Sequence, residues 1–330
     1  MILKKFGGLN NSKLTYCQTY QWNLQIYKYW EEKEIRKAVI GKFEYYKVTD
    51  DNEVKIMAPL CLRNNEAYII GKGCGQNYYD FVYGENLEEK YVYKLMVYLK
   101  NKGINIIHIP LIRSESDLCK ILLKPNNIFK IDKKNSCVVN MKFDFDDYDS
   151  YFKSLSKSTR QNIRTAYNRL RKDDIDYKVN VEEKKISETR AKELMNFYVR
   201  RHSLDLNNCC LKEKIIQKAR RFILGKWDNN KVVFNSMINN DNHRLYSIYI
   251  EGNLAAYYYG LVYPENKISF KHVAINDDYK KYSPGMILAN EIIKLENKRF
   301  KVFDFTTGRE NYKYKLGCTD ESCYEMQIKL

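Results

Sequence analysis

Residues 254–317 read LAAYYYGLVYPENKISFKHVAINDDYKKYSPGMILANEIIKLENKRFKVFDFTTGRENYKYKLG. Two β-rich runs, 254–262 and 267–274, flank the turn signal Pro264-Glu265-Asn266 and predict an antiparallel pair. A hydrophilic loop over 275–282 follows. Ser283-Pro284-Gly285 then reads as a helix start: Ser is a preferred N-cap, Pro fits a first helical position whose N–H has no partner, and Gly leaves the backbone uncovered. Ile287, Leu288, Ile292 and Leu295 keep helical spacing to about Asn297. A strand over 300–305 ends at Thr306-Thr307-Gly308-Arg309, before a short helix. A strand feeding such a helix start gathers backbone N–H groups and the positive end of a helix dipole, which suits a phosphate or pyrophosphate. An ordinary helix cap under a strand connection has the same sequence.

Around this stretch, 330 residues suit two domains of moderate size, and a hydrophobic fraction of 44% supplies their cores. No apolar run reaches the length of a membrane span, and residues 1–8 do not form a signal peptide, so the expected location is cytoplasmic. Nine cysteines without a C-x-x-C argue against structural zinc and a disulfide framework. Four histidines without ligand spacing give no expectation of a metal. The net charge of +16 implies attraction for anions: nucleic acid, a nucleotide-linked substrate, a membrane surface or cofactor phosphates. A biased genome produces the same surplus of Lys, Tyr, Asn and Ile, so charge alone does not choose.

Towards the N-terminus the pattern predicts a helix over 20–34, strands over 38–48 and 53–62 about the turn 49–52, and a strand over 66–71. A helix over 87–102 and a buried-type strand over 104–109 follow. The glycine-rich, aromatic loop 71–84 lets backbone approach a ligand at Gly73 and Gly75. In it, Tyr78, Tyr79 and Asp80 are candidates to stack on and hydrogen-bond a sugar, or equally a loop tucked against the protein. Residues 126–149 lose periodicity, and a domain boundary is expected near Phe143, giving domains 1–143 and 144–330. Residues 151–172 form one amphipathic basic helix at the start of the second domain, with Arg160, Arg164 and Arg171 on a face that suits phosphates or only solvent. A strand over 176–182, helices over 187–202 and 211–224, and a strand over 245–250 lead back to the opening pair, and 323–330 supply an edge strand. Both halves run hairpin, glycine-containing loop, amphipathic helix, strand, which points to a duplicated αβ unit.

Ala255-Ala256, His272-Val273-Ala274, Tyr282-Ser283-Pro284-Gly285 and Phe303-Asp304-Phe305-x-x-Gly308-x-Glu310-x-Tyr312-Lys313 together resemble the acyltransferases of the GNAT superfamily. The likeness is to the CelD/BcsL-type branch found beside polysaccharide-biosynthesis genes and related to the FemABX peptidyltransferases. The usual GNAT loop signature, Q/R-x-x-G-x-G/A, is not kept by residues 279–285. The resemblance implies an α/β (α+β) chain of two tandem GNAT-like modules, each a mixed, mainly antiparallel sheet flanked by helices, the first degenerate and the second holding the cofactor. It implies an acyl-CoA-dependent N- or O-acyltransferase, with acetyl-CoA or another acyl-CoA as donor, acting on a sugar, nucleotide-sugar or cell-surface polymer precursor. Alternatives are a FemABX-like transferase using aminoacyl-tRNA and a non-catalytic, anion-binding double module.

By that resemblance, the backbone of Val273 and Ala274 faces the thioester arm, while Ser283, Gly285 and Met286, with Lys280 and Lys281, face the pyrophosphate. Acyl transfer also needs a route for the acceptor's proton and protonation of the leaving thiolate. His272 is a candidate base, since imidazole titrates near neutral pH. Asp304, near a strand end, is a second candidate to orient or deprotonate the acceptor, or equally a cap of the following turn, and Tyr312 is the expected general acid, with Tyr314 as the fallback. Arg164, His202, Arg309, Glu310 and Lys313 are candidate substrate groups, the last three also candidates to anchor the loop.

Overall fold

The computed structural model describes residue 9 and residues 15–19, 22–26, 41–71, 77–183, 185–207, 227–263 and 266–330, with only backbone described along 201–207 and 227–231. The described residues divide into two compact units, Met1–Cys137 with Glu321–Leu330, and Val138–Asp320. Each is a mixed, mainly antiparallel sheet with helices, so the architecture is α/β.

In the first unit, β1 (Lys42–Asp50) and β2 (Glu53–Arg63) form a hairpin. Its two turn residues, Asp51 and Asn52, have φ of 48° and 62°, which a tight hairpin of right-handed twist requires and Asp and Asn tolerate. β2 also pairs with β3 (Glu66–Ile69) and with the short β4 (Val82–Tyr83). Helix α1 (Glu89–Asn101) buries Tyr91, Val92, Leu95, Met96 and Leu99 at helical spacing and carries the chain over to β5 (Ile106–Arg113), parallel to β3. Helix α2 (Asp117–Leu122) starts at Ser116, whose Oγ accepts from the Cys119 N–H.

In the second unit the sheet runs from the Val138–Lys142 end of β6 (Lys130–Lys142) through β11 (Val302–Asp304), β10 (Lys267–Ile275), β9 (Asn253–Tyr263) and β8 (His243–Ile250) to β7 (Tyr177–Glu182). Among the described residues of this unit only β10 and β11 are parallel, and helix α7 (Pro284–Glu296) makes their crossover. Hairpin, helix and parallel strand thus recur in both units, as the repeated order of elements predicts. On one face of this sheet, Ile163, Ala166 and Leu170 of α4 (Lys157–Lys172) and Ile287, Leu288 and Ile292 of α7 share a core with Tyr246, Tyr258 and Phe270. On the other lie α5 (Glu188–Asn207) and α6 (Trp227–Asn239), where the Tyr257 hydroxyl donates to the Leu194 carbonyl and the Tyr259 and Ser236 hydroxyls bond at 2.9 Å.

Four expectations change. The basic helix over 151–172 is two helices, α3 (Tyr148–Ser154) and α4, because Leu155 and Ser156 are extended. The Ser156 Oγ accepts from the Thr159 N–H at 3.1 Å and restarts the helix, while Arg160 donates to the Lys153 and Leu155 carbonyls. The aperiodic stretch 126–149 contains the thirteen-residue β6, whose first half is largely exposed and polar and therefore shows no apolar alternation. The strand read over 323–330 is part of β12 (Thr319–Lys329), and from Cys323 to Lys329 it pairs with β5 of the first unit. The expected loop 275–282 holds a 3-10 turn, Asp277–Tyr282. The helix expected over 211–224 and the glycines at 73 and 75 lie outside the described residues, as does most of the helix expected over 20–34. Among the described residues no helix is long and apolar enough to cross a membrane.

Candidate functional site

The site is built on a fork between two strands. β10 and β11 pair only at Lys267, Ile268 and Ser269 with Val302, Phe303 and Asp304. Beyond Asp304 the chain stays with β6, through Phe305 N–H to Val139 O and Val139 N–H to Thr306 O, both 2.9 Å. β10 instead stays with β9 as far as Ile275 opposite Ala256, and Asn276 N–H donates to Ala255 O at 2.8 Å. The two strands therefore part. Alternation along a ladder turns the Ala274 amide towards β9, as at Asn276, and the Val273 and Ile275 amides towards the gap. Of the two backbone groups expected to face a thioester arm, Val273 faces the gap and Ala274 does not.

At the apex of the fork, the Ser269 hydroxyl donates to Asp304 Oδ2 at 2.7 Å, and Asp304 Oδ1 accepts from the Thr306 N–H at 2.7 Å. Asp304 is fully buried. Both its oxygens hold the strand junction, a positioning arrangement rather than that of an exposed base.

One extra residue, Lys271, interrupts the register between Phe270 and His272. In a regular strand these two would share a face; a bulge re-aims one of them. The Phe270 ring lies 5.4 Å from Tyr258 and 5.0 Å from Phe305 on the α7 side. His272 instead turns to the α5 side, where its Nδ1 is 2.7 Å from the Tyr257 hydroxyl and the Tyr198 ring stacks on it at 3.5 Å. His272 is buried.

At the start of α7, Ser283 has φ 53° and ψ 51°, and its side chain makes no cap bond. It stands at the N-cap position, in the left-handed region instead of the extended conformation of a capping serine. The Ser283 amide donates to Lys280 O at 3.1 Å and the Met286 amide to Ser283 O at 3.0 Å. Of the three amides expected at a pyrophosphate, Gly285's alone takes no acceptor among the described residues. Pro284 and Gly285 are buried, and a Cβ at Gly285 would lie 2.4 Å from Ile275 Cδ1, so the helix start is packed on the end of β10. Lys281 is paired with Asp173, which also accepts from Tyr282 at 3.0 Å, and Arg169 donates to Lys281 O at 2.9 Å. Lys280 is an exposed cation beside this start.

Helix α8 (Asn311–Lys315) closes the site on the α7 side. Lys313 is buried, and its ammonium donates to the carbonyls of Phe305, Thr307 and Gly308 at 2.9, 3.1 and 3.0 Å and pairs with Glu310 at 2.8 Å. A cation with its donors so used, and Glu310 bound to it, anchor the loop after β11; they are not free to meet a substrate. Arg309 pairs with Asp320 at 2.7 Å on the exposed rim. Tyr312 is half-buried, its ring 6.4 Å from Phe305, and burial pushes its phenol up to about 12. Such a phenol keeps its proton at neutral pH, as a general acid must.

The remaining candidates are scattered. Arg164 is exposed on α4, its guanidinium 5.7 Å from the Phe152 ring. His202 lies on α5 where side chains are not described. Tyr78, Tyr79 and Asp80 belong to the first unit and line a cavity of about 10 Å³, room for roughly one water. Tyr78 and Tyr79 are buried, and the Asp80 carboxylate accepts from Ser116 Oγ at 2.6 Å, Tyr83 Oη at 3.1 Å and the Phe81 amide at 2.7 Å. Asp80 is thus held by Ser116, Tyr83 and Phe81, while the Tyr79 hydroxyl reaches the Gly71 carbonyl at 3.5 Å and the Arg113 guanidinium lies 5.9 Å from the Tyr78 ring. Among the described residues no three His, Cys, Asp or Glu gather as for a metal. Sequence reasoning missed Ser269, Lys271, Tyr257 and Tyr258; the run Tyr257-Tyr258-Tyr259 was the available signal.

Residues 157–314 match the family described as an acetyltransferase (GNAT) domain. No curated protein matches the chain. Among solved structures it is similar to a conserved protein of unknown function from Bacteroides thetaiotaomicron, at TM-score 0.55 and 11% identity over 95% of this chain and 91% of that one. It is also similar to L-PGS from Bacillus licheniformis, at 0.53 and 12% over 93% and 91%, and to the C-terminal domain (DUF2156) of a putative lysylphosphatidylglycerol synthetase from Agrobacterium fabrum, at 0.53 and 9% over 93% of each. At such identities the likeness is one of fold. The residues of that family match lie within the second unit and include the strand fork.

Proposed function

We propose that the second unit is an acyltransferase of the CelD/BcsL type, taking an acyl group from acetyl-CoA or another acyl-CoA to an amine or hydroxyl of a sugar, nucleotide-sugar or surface-polymer precursor, with the first unit a degenerate copy. The observation that carries it is the fork beyond Ser269 and Asp304, with the Val273 amide turned into it and the start of α7 packed on its upper end. That edge fits the extended thioester arm. At the phosphate end the fit is narrower, resting on the Gly285 amide, the helix dipole and Lys280, with Ser283, Met286 and Lys281 already engaged.

When bound, the acyl-CoA supplies the activated acyl carbon. The Val273 N–H polarises the acyl oxygen at the fork, a preorganised donor where negative charge develops. Tyr312 Oη donates its proton to the departing sulfur. His272 lies on the opposite side of the sheet from Tyr312 and is the candidate to take the acceptor's proton there. Ser269, Asp304 and Lys313 keep the fork open in one geometry.

Calorimetric titration with acetyl-CoA and with CoA tests this: micromolar binding is expected, abolished in Gly285→Glu, with circular dichroism confirming that the variant folds. The exposed basic face of α4, with Arg164, Arg171 and Lys172, favours a second reading, transfer from aminoacyl-tRNA. If tRNA binds with steep salt dependence and neither nucleotide does, that reading replaces the first.

A further inference from the structure

The groups around His272 decide which of its ring nitrogens carries hydrogen. Tyr257 on β9 stands opposite Ala274 and is therefore the diagonal neighbour of His272, which the bulge at Lys271 turns to the same, α5 side of the sheet. The Tyr257 hydroxyl lies 3.2 Å from the Leu194 carbonyl of α5 and 2.7 Å from His272 Nδ1. Tyr257 is fully buried, and burial pushes its phenol well above the ordinary value, so the hydroxyl keeps its one hydrogen at neutral pH. A carbonyl oxygen only accepts. With that hydrogen given to Leu194, the 2.7 Å bond runs from the imidazole N–H to the phenol oxygen. The reverse arrangement sets two oxygens face to face at 3.2 Å with no hydrogen between them, inside the protein where an unmade bond is costly. Tyr198, one turn after Leu194 on α5, stacks on the imidazole at 3.5 Å, and the Phe197 ring lies 5.8 Å from that of Tyr257. One helix thus holds the plane of the imidazole and the direction of the phenol.

Resting on the acyl-transfer reading, we propose that Tyr257 is a positioning residue: by accepting from Nδ1 it fixes His272 as the Nδ1–H tautomer and leaves the basic lone pair on Nε2, the ring nitrogen away from Tyr257. In the transfer, the acceptor's N–H or O–H bond breaks and its proton goes to Nε2. The acyl carbon exchanges its bond to sulfur for one to the acceptor, and the departing sulfur takes the Tyr312 proton. Water then receives the proton from Nε2 and returns one to the Tyr312 phenolate. The Nδ1–H stays bonded to Tyr257 throughout, and Tyr257 touches no substrate.

Nitrogen NMR of protein labelled at histidine tests this, since protonated and bare ring nitrogens resonate far apart, and His272→Gln identifies the resonances among the four histidines. With the ring neutral, the parent protein is expected to show hydrogen on Nδ1 of His272 and none on Nε2. In Tyr257→Phe the Nε2–H form is expected to gain at the expense of the other, because the bond that chose the tautomer is gone. With active protein, kcat of Tyr257→Phe falls about tenfold while KM for the donor stays, and adding Tyr257→Phe to His272→Gln costs nothing more. Hydrogen on Nε2 in the parent, an unmoved tautomer in Tyr257→Phe, or a loss residing in KM overturns the proposal. The parent's tautomer is read without any change at 257, so a variant that fails to fold leaves the test standing. If the protein transfers no acyl group, the acyl-transfer reading fails on its own, and the nitrogen resonances still decide whether Tyr257 sets the tautomer.

Discussion

Asp80 is a carboxylic acid whose chemistry departs far from its ordinary behaviour. Its carboxyl is enclosed although the residue as a whole is only partly buried, and burial raises it from 3.8 to about 7 against the pull of its bonds to Ser116, Tyr83 and the Phe81 amide. Its folded value lies above its unfolded one. Between about pH 4 and pH 7 the folded chain therefore holds a proton that the unfolded chain has lost, so this group's contribution falls as pH rises through that window and is flat above it. Three units correspond to at most about 4 kcal/mol. Urea midpoints for Asp80→Asn and the parent at pH 4.5 and 7.5 should show a shallower decline in the variant; parallel declines would contradict the assignment. None of this was legible in the sequence, where Tyr78-Tyr79-Asp80 looked like a sugar platform: Phe81 and Tyr83 are neighbours of Asp80, but the third donor, Ser116, lies 36 residues along the chain.

Among the elements, α7 and its flanking strands could be read from local signals, Pro284 and the run Ile287, Leu288, Ile292, although Ser283 does not cap the helix. The break between α3 and α4 was missed because the basic residues on both sides keep one amphipathic pattern, and only the extended backbone at Leu155 and Ser156 separates them. Ser156→Ala should cost about 1 kcal/mol, the usual worth of a serine N-cap, read as a lower urea midpoint. No change would mean that the Thr159 amide finds water instead. The fork was half legible: two strands and a helix in the right order, but not the parting itself. Where β10 leaves β11 is decided by the pairing of Phe305 and Thr306 with Val139, in the stretch whose strand pattern was hidden by exposed lysines.

At the scale of the whole molecule, the division into two units does not follow a single cut in the chain. The first unit is Met1–Cys137 together with Glu321–Leu330, and Cys323, Met326 and Ile328 of β12 are buried in it. A chain stopped at Asp320 should therefore lose the partner of β5 and the burial of three side chains, roughly 5 kcal/mol at the usual worth of such groups. Hydrogen exchange should show Ile106–Arg113 deprotected while α7 and β9 keep their protection. Equal loss in both units would refute the assignment of β12. The sequence suggested an edge strand here, but its pairing with β5 was not legible, since pairing partners leave no local trace.

That returning strand also sets an order of birth. Residues 138–320 are a contiguous stretch, so every residue of the second unit is translated before the last residues of the first, 321–330. Domains commonly fold in the order in which they are made, but here the amino-terminal unit is the one that must wait for its final strand.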